Sequence, residues 1–203
     1  MQKVITYIDG FNLYFGLREK YDRRFMWLDI NKLSLTLIRP GQQLVKVKYF
    51  TSRIKSNKSK IQRQSTYLDA LSTLDNVEIY YGQYFINDHT CTKCGQIEQI
   101  PTEKMTDVNI ATHLLVDAFN NSFDVALLIS ADTDLTGPVE QILKLFPKKR
   151  VILALPPNRT SFQLQEASSA YFRIGRVNFA KSQFAEFVIS KNGYQLMRPD
   201  SWK

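Results

Sequence analysis

Asp132 and Asp134 stand one residue apart in Ser130-Ala131-Asp132-Thr133-Asp134, directly after the apolar run Val125-Ala126-Leu127-Leu128-Ile129. Two carboxylates so placed repel each other, and beside an apolar strand end they are partly desolvated. A hard divalent cation between them is the simplest remedy. An acidic, all-oxygen, histidine-free set suits Mg2+ or Mn2+. Such an ion activates water and stabilises charge on a phosphodiester.

The elements that must position these residues follow from hydrophobic spacing. Lys3–Ile8 is a short β-branched run ending at Asp9-Gly10, and Phe11–Glu19 is helical. Leu28–Ile38 has helical spacing and stops at Pro40-Gly41. Leu44–Ser52 alternates as a second strand, Lys58–Leu74 is a helix, and Val77–Phe85 is a third strand. Ile86–Ile100 is expected to be an irregular insertion. Thr106–Asn120 is an amphipathic helix, with Val108, Ala111, Leu115 and Ala118 on one face. Phe123–Ile129, Pro138–Leu145 and Arg150–Leu155 follow as strand, helix and fifth strand, with a further helix near Ser161–Ser168. This alternation predicts a three-layer αβα sandwich with a mostly parallel central sheet of about five strands. One domain over residues 1–203 is expected, with the insertion at about 86–100.

In open parallel sheets the ligand lies at the carboxyl ends of the strands. Asp9 ends the first strand, and Asp132 and Asp134 follow the fourth. The helix leading into the fourth strand opens on the same rim with Glu103-Lys104-Met105-Thr106-Asp107. Four carboxylates therefore converge by topology. Asn12, one turn beyond Asp9, can add an amide oxygen. Each acidic residue also has an ordinary use: Asp107 or Asp134 as a helix cap, and Asp9-Gly10 as a turn.

The formal net charge of +8 directs attention to a polyanionic partner, with nucleic acid first. No acidic residue lies between Leu44 and Leu68, where Lys46, Lys48, Arg53, Lys55, Lys58, Lys60 and Arg63 occur. Arg53, Lys55 and Lys58 lie just past the second strand, where they could hold a sugar-phosphate backbone. A solvated basic face is the plainer explanation of such a run. Phe11, Tyr14, Phe15 and Phe50 could stack bases, although most aromatics in such a chain are core. No stretch has the length of a transmembrane helix and no signal-peptide pattern opens the chain, so a cytoplasmic protein is expected.

Three segments resemble, in order, the three motifs of the NYN domain family, a branch of the PIN-like nucleases. They are Tyr7-Ile8-Asp9-Gly10-Phe11-Asn12-Leu13-Tyr14, Glu103 to Ala111, and Leu128 to Leu135. Arg198-Pro199-Asp200-Ser201-Trp202 also resembles bacterial members. The resemblance implies a Mg2+- or Mn2+-dependent ribonuclease acting on single-stranded RNA. By motif, Asp9, Asp107, Asp132 and Asp134 would hold the metal. Asn12 would be accessory, Ser130 would position the acidic loop, and Glu103 and Asn109 lie within the second motif. The alternative is a non-catalytic RNA- or nucleotide-binding PIN-like domain. A homodimer stays open.

Cys91 and Cys94, with His89, resemble half of a zinc knuckle. His113, Glu98, water or a second subunit could complete a structural Zn2+ site, and two free thiols are the alternative. Asp132-Thr133-Asp134-Leu135-Thr136 superficially matches the D-x-D-x-T loop of haloacid-dehalogenase-like phosphatases, but no closely spaced acidic pair follows it. Neither a G-x-G-x-x-G nor a G-K-[ST] motif is present.

Overall fold

A computed structural model of the chain describes residues 1–55, 57–90 and 92–202, with residues 84, 86–88 and 98–103 described as backbone only. β1 (Gln2–Asp9) leads into α1 (Gly10–Tyr21), α2 (Ile30–Leu37), β2 (Gln42–Thr51), α3 (Lys58–Leu71) and β3 (Val77–Tyr81). A hairpin of β4 (Gln83–Thr90) and β5 (Ile97–Lys104) follows, then α4 (Thr106–Phe119) and β6 (Val125–Ile129). A 3-10 turn at Thr133–Leu135 precedes α5 (Thr136–Leu145), β7 (Arg150–Leu155), α6 (Phe162–Ala167), β8 (Ala170–Arg173) and α7 (Arg176–Lys181). The chain closes with β9 (Phe187–Ile189), β10 (Gln195–Met197) and a 3-10 turn at Asp200–Trp202.

Six strands form one sheet in the order β3-β2-β1-β6-β7-β8, and every neighbouring pair is parallel. Side chains alternate across a strand, so β1 feeds two cores. Val4 and Ile8 join Leu13 and Leu17 of α1, Leu33 of α2 and Leu71 of α3. Ile5 and Tyr7 join Ile110 and Leu114 of α4, Val139 of α5 and Leu164 of α6. The helices therefore cover both faces, as an αβα sandwich requires.

The sheet holds six strands rather than about five, because β8 adds a short, half-exposed edge strand. The segment after Tyr81 is not irregular. β4 and β5 pair antiparallel from Gln83↔Lys104 to Thr90↔Ile97. The third strand accordingly ends at Tyr81, ahead of the expected Phe85. Among the described residues, no helix is long and apolar enough to cross a membrane.

Strand order reverses between β1 and β6, since β1 continues outward to β2 and β3 while β6 continues to β7 and β8. In open α/β sheets the crevice outside the carboxyl ends at such a switch point is where ligands bind. Ile8 pairs with Ile129 in register, so Asp9 and Ser130 leave the sheet side by side.

Candidate metal centre at the sheet switch point

Carboxylate oxygens of Asp9, Asp107 and Asp132 lie within 4.8 Å of one another. Asp9 is buried and the other two are half-buried. Asp9 is also the N-cap of α1: its Oδ1 accepts the Asn12 amide at 2.9 Å. Its Oδ2 accepts the Ser130 hydroxyl at 2.9 Å. The Ser130 oxygen in turn accepts the Asp132 amide at 3.1 Å. Asn12 Oδ1 accepts the Ala131 amide at 3.2 Å, tying the first turn of α1 to the loop after β6. Ser130 and Asn12 thus act through the carboxylates and their loop.

Asp107 occupies the first turn of α4, where the helix dipole favours a negative charge. It is not the N-cap. That position belongs to Met105, whose φ of 79° is left-handed and whose side chain makes no cap hydrogen bond. Capping of the 3-10 turn falls to Asp132, whose Oδ1 accepts the Asp134 amide at 3.0 Å. Asp134 itself is exposed and lies outside the group of three. Asn109 donates from Nδ2 to the Tyr81 carbonyl at 3.4 Å, joining α4 to the end of β3. The side chain of Glu103 lies outside the described residues.

Gly10 is needed by close approach. A Cβ there would sit 2.7 Å from the Phe50 carbonyl oxygen and 2.7 Å from the Tyr49 ring. The missing side chain lets α1 start immediately after Asp9, against β2.

Of the basic candidates, Arg53 stacks over Tyr81 at 4.8 Å and donates to its hydroxyl at 3.2 Å. Lys55 and Lys58 are exposed, Lys58 opening α3 behind the Asn57 cap. All three follow Phe50, which pairs with Asp9, so they stand beyond the same sheet edge as the acidic group. Phe50 is fully buried and stacks on Tyr80 at 5.2 Å, so it is a core ring and not a stacking platform.

Lys48, counted in sequence with the basic run, is instead buried and ion-paired to Asp117 at 2.7 Å. The Tyr7 hydroxyl donates to the same Asp117 oxygen at 2.6 Å. Lys48 Nζ also stands 3.4 Å from His113 Nδ1. Burial and the Asp117 charge push the Tyr7 phenol far above its ordinary value, so Tyr7 remains a neutral donor. Burial and Lys48 hold the His113 ring below its usual value, against Asp117 and Glu78. This network pins α4, and with it Asp107, against β1 and β2. Its signal in the sequence is Asp117 falling on the buried stripe of Ile110 and Leu114.

Cys91 lies outside the described residues. Cys94 is exposed, His89 is exposed on β4, and Gly95 has a φ of 71°, as a turn after a C-x-x-C requires. The side chain of Glu98 is also outside the described residues, and His113 is committed to the Lys48 network.

The NYN domain model matches residues 3–175. The 6-hydroxy-3-succinoylpyridine 3-monooxygenase HspA of Pseudomonas putida is 25% identical over an alignment covering 97% of this chain and 74% of that protein. A crystal structure of a protein of unknown function from Vibrio parahaemolyticus superposes with a TM-score of 0.60 at 20% identity, covering 90% of this chain and 96% of that one. That likeness shows the fold alone. The family match runs from β1 through β8 and includes every carboxylate of the acidic group, and the chain belongs to the NYN domain family of PIN-like fold.

Proposed function

We propose that the chain is a metal-dependent ribonuclease that hydrolyses phosphodiester bonds of single-stranded RNA. The observation that carries this reading is the convergence of Asp9, Asp107 and Asp132 oxygens within 4.8 Å at the sheet switch point. The donor set is all carboxylate oxygen, which fits Mg2+ or Mn2+. A hard divalent ion bound there would supply an activated water and offset charge developing on the phosphodiester. Asp9, Asp107 and Asp132 would hold it, while the exposed Asp134 stands outside the group. Ser130 and Asn12 fix the orientation of Asp9 and of the loop bearing Asp132. Arg53, Lys55 and Lys58 offer positive charge to the strand's phosphates.

The name of the Pseudomonas putida relative raises a second reading, oxidation of a small aromatic heterocycle. The hard-oxygen donor set and the basic rim favour the phosphodiester. The test is incubation with end-labelled single-stranded RNA in Mg2+ or Mn2+, beside Asp132→Asn. Cleavage by wild type and its loss in the variant support the ribonuclease. Intact RNA with wild type, or equal cutting by the variant, sinks it.

A further inference from the structure

A second feature adjoins the acidic group on the other side of Gly10. Between α1 and α3 lies a cavity of about 210 Å3. Its walls are aromatic: Tyr14, Tyr49, Tyr67 and Trp202 all line it. Tyr67 meets Trp202 edge to face at 5.9 Å and Tyr49 at 6.3 Å. Phe11 and Phe15 stack on each other at 6.3 Å and also line it, with Phe15 exposed.

The walls are held from behind. The Tyr67 hydroxyl donates to the Leu28 carbonyl at 2.9 Å. The Gln64 side chain bridges two backbone groups, donating to the Ser52 carbonyl at 2.9 Å and accepting the Ile54 amide at 3.0 Å. Arg198 donates to the carbonyl of Trp202 and to that of Arg24, which clamps the chain end against the fold. The Arg198–Trp202 segment therefore supplies a wall of this cavity.

Charge identifies the occupant. Arg18, Lys60 and Arg63 line the cavity, and among the described residues no acidic side chain does. The volume falls below the roughly 300 to 1,000 Å3 of drug-sized sites and matches one flat ring system better than a larger ligand. Flat walls, a cationic rim and a lining that includes Gly10, next to Asp9, suit a nucleobase that carries its phosphates outside. We propose that the Tyr14–Tyr49–Tyr67–Trp202 cavity captures one unstacked base of the single strand whose scissile phosphate lies at Asp9, Asp107 and Asp132. Gly10 and Tyr49 join the two places: Gly10 follows Asp9 directly, and the Tyr49 ring packs on Gly10. The base seats on the α1–α3 side of the sheet while Arg63 and Lys60 hold its flanking phosphates. This assignment rests on the ribonuclease reading.

The experiment measures equilibrium binding of fluorescent oligouridylate to the full chain in EDTA, where affinity is read apart from cleavage. A series of the same RNA carries a single abasic sugar at each position in turn. One position should lose affinity for wild type by about 5- to 150-fold, the range of stacking one base on an aromatic ring. Tyr14→Ala should show the same loss with intact RNA and no further loss with that abasic strand, while Tyr14→Phe retains wild-type affinity. Arg63→Gln should weaken binding and flatten its salt dependence. Equal affinity across the abasic series overturns the proposal even where RNA is cleaved. Wild type that binds a free hydroxypyridine but no RNA overturns it in favour of a small-molecule pocket. A cleavage assay that fails while the abasic position still matters overturns catalysis and leaves the base pocket standing.

Discussion

The Ser130 hydroxyl joins two carboxylates that are distant in the chain: it donates to Asp9 Oδ2 at 2.9 Å while its oxygen accepts the Asp132 amide at 3.1 Å. Groups that orient metal ligands in this way typically tune affinity about 10- to 100-fold. Ser130→Ala should weaken Mn2+ binding by about that factor. It should also lower stability by about 1 to 3 kcal/mol, because the buried Asp9 carboxylate and the half-buried Asp132 amide each lose a partner. Calorimetric titration with Mn2+ and urea denaturation measure the two effects. An unchanged Mn2+ affinity would show that Ser130 orients nothing that matters.

Like charges within 4.8 Å destabilise the metal-free fold. Asp132→Asn keeps an oxygen for the Asp134 amide and removes one charge. In EDTA it should melt at a higher temperature than wild type, yet gain less on addition of Mg2+. Asp134→Asn should keep the wild-type response to Mg2+, since its side chain stands outside the group. Thermal melts of the three proteins with and without Mg2+ decide this, and a wild-type-like response from Asp132→Asn would remove that residue from the site.

Gly10→Ala introduces a Cβ 2.7 Å from the backbone oxygen of Phe50, which a rotamer change cannot relieve. The expected cost is about 1 to 3 kcal/mol, the usual range for overpacking. Because the shift propagates to Asp9, Mn2+ affinity should fall as well. Denaturation together with Mn2+ titration tests both, and stability lost with affinity intact would uncouple α1 from the site.

Lys48 and Asp117 form a buried ion pair, and breaking such a pair from one side costs about 3 to 5 kcal/mol. Lys48→Met should lie in that range, and the double variant Lys48→Met with Asp117→Leu should recover only part of it, because the buried Tyr7 hydroxyl then loses its acceptor at a cost of about 1 to 3 kcal/mol. Urea midpoints of the two singles and the double complete the cycle. Strict additivity would contradict a direct pairing.

His113 gives the fold a pH dependence. Its folded-state pKa is below the unfolded 6.5, through burial and Lys48 and in spite of Asp117 and Glu78. The unfolded chain therefore takes up the proton first. Its contribution is complete above about pH 6.5 and shrinks as pH falls from there toward the folded value. Glu78 works lower on the scale. Burial opposes its charge, but hydrogen bonds from Lys46 and Tyr80 outweigh that and hold its carboxyl below 4.5. Its contribution is present above that value and lost as pH drops through the folded one. Urea midpoints across this range should decline in both windows, and His113→Gln should flatten the upper one only. A retained upper slope in that variant would assign it elsewhere.

The proximity of Asp9, Asp107 and Asp132 was legible because strand ends and crossover helices obey topological rules that need no side-chain detail. Asp134 was harder. Once Asp132 accepts its amide, the 3-10 turn sends the next side chain to solvent, which spacing alone does not reveal. The β4–β5 ribbon was hidden because its sequences, QYFINDHT and IEQIPTEK, carry no clean apolar face. Partner pairing, rather than a buried stripe, makes them strands. Lys48 was misread for a related reason. In a basic run every lysine suggests solvent, and only its buried partner on α4, Asp117, distinguishes it. The cavity assembles residues of α1, β2, α3 and the final turn, a long-range combination that no local pattern announces.

The central place of β1 has a thermodynamic consequence. Asp9 meets Asp132 only when β1 is paired with β6, and meets Asp107 only when α4 is docked over both. An unfolded chain holds no such trio, so an ion that binds the trio is a ligand of the native state alone. At a free concentration one hundred times its dissociation constant it would add about 2.7 kcal/mol to the folding free energy. Depleting that ion would then raise the population of the unfolded chain, and with it the domain's exposure to proteolysis.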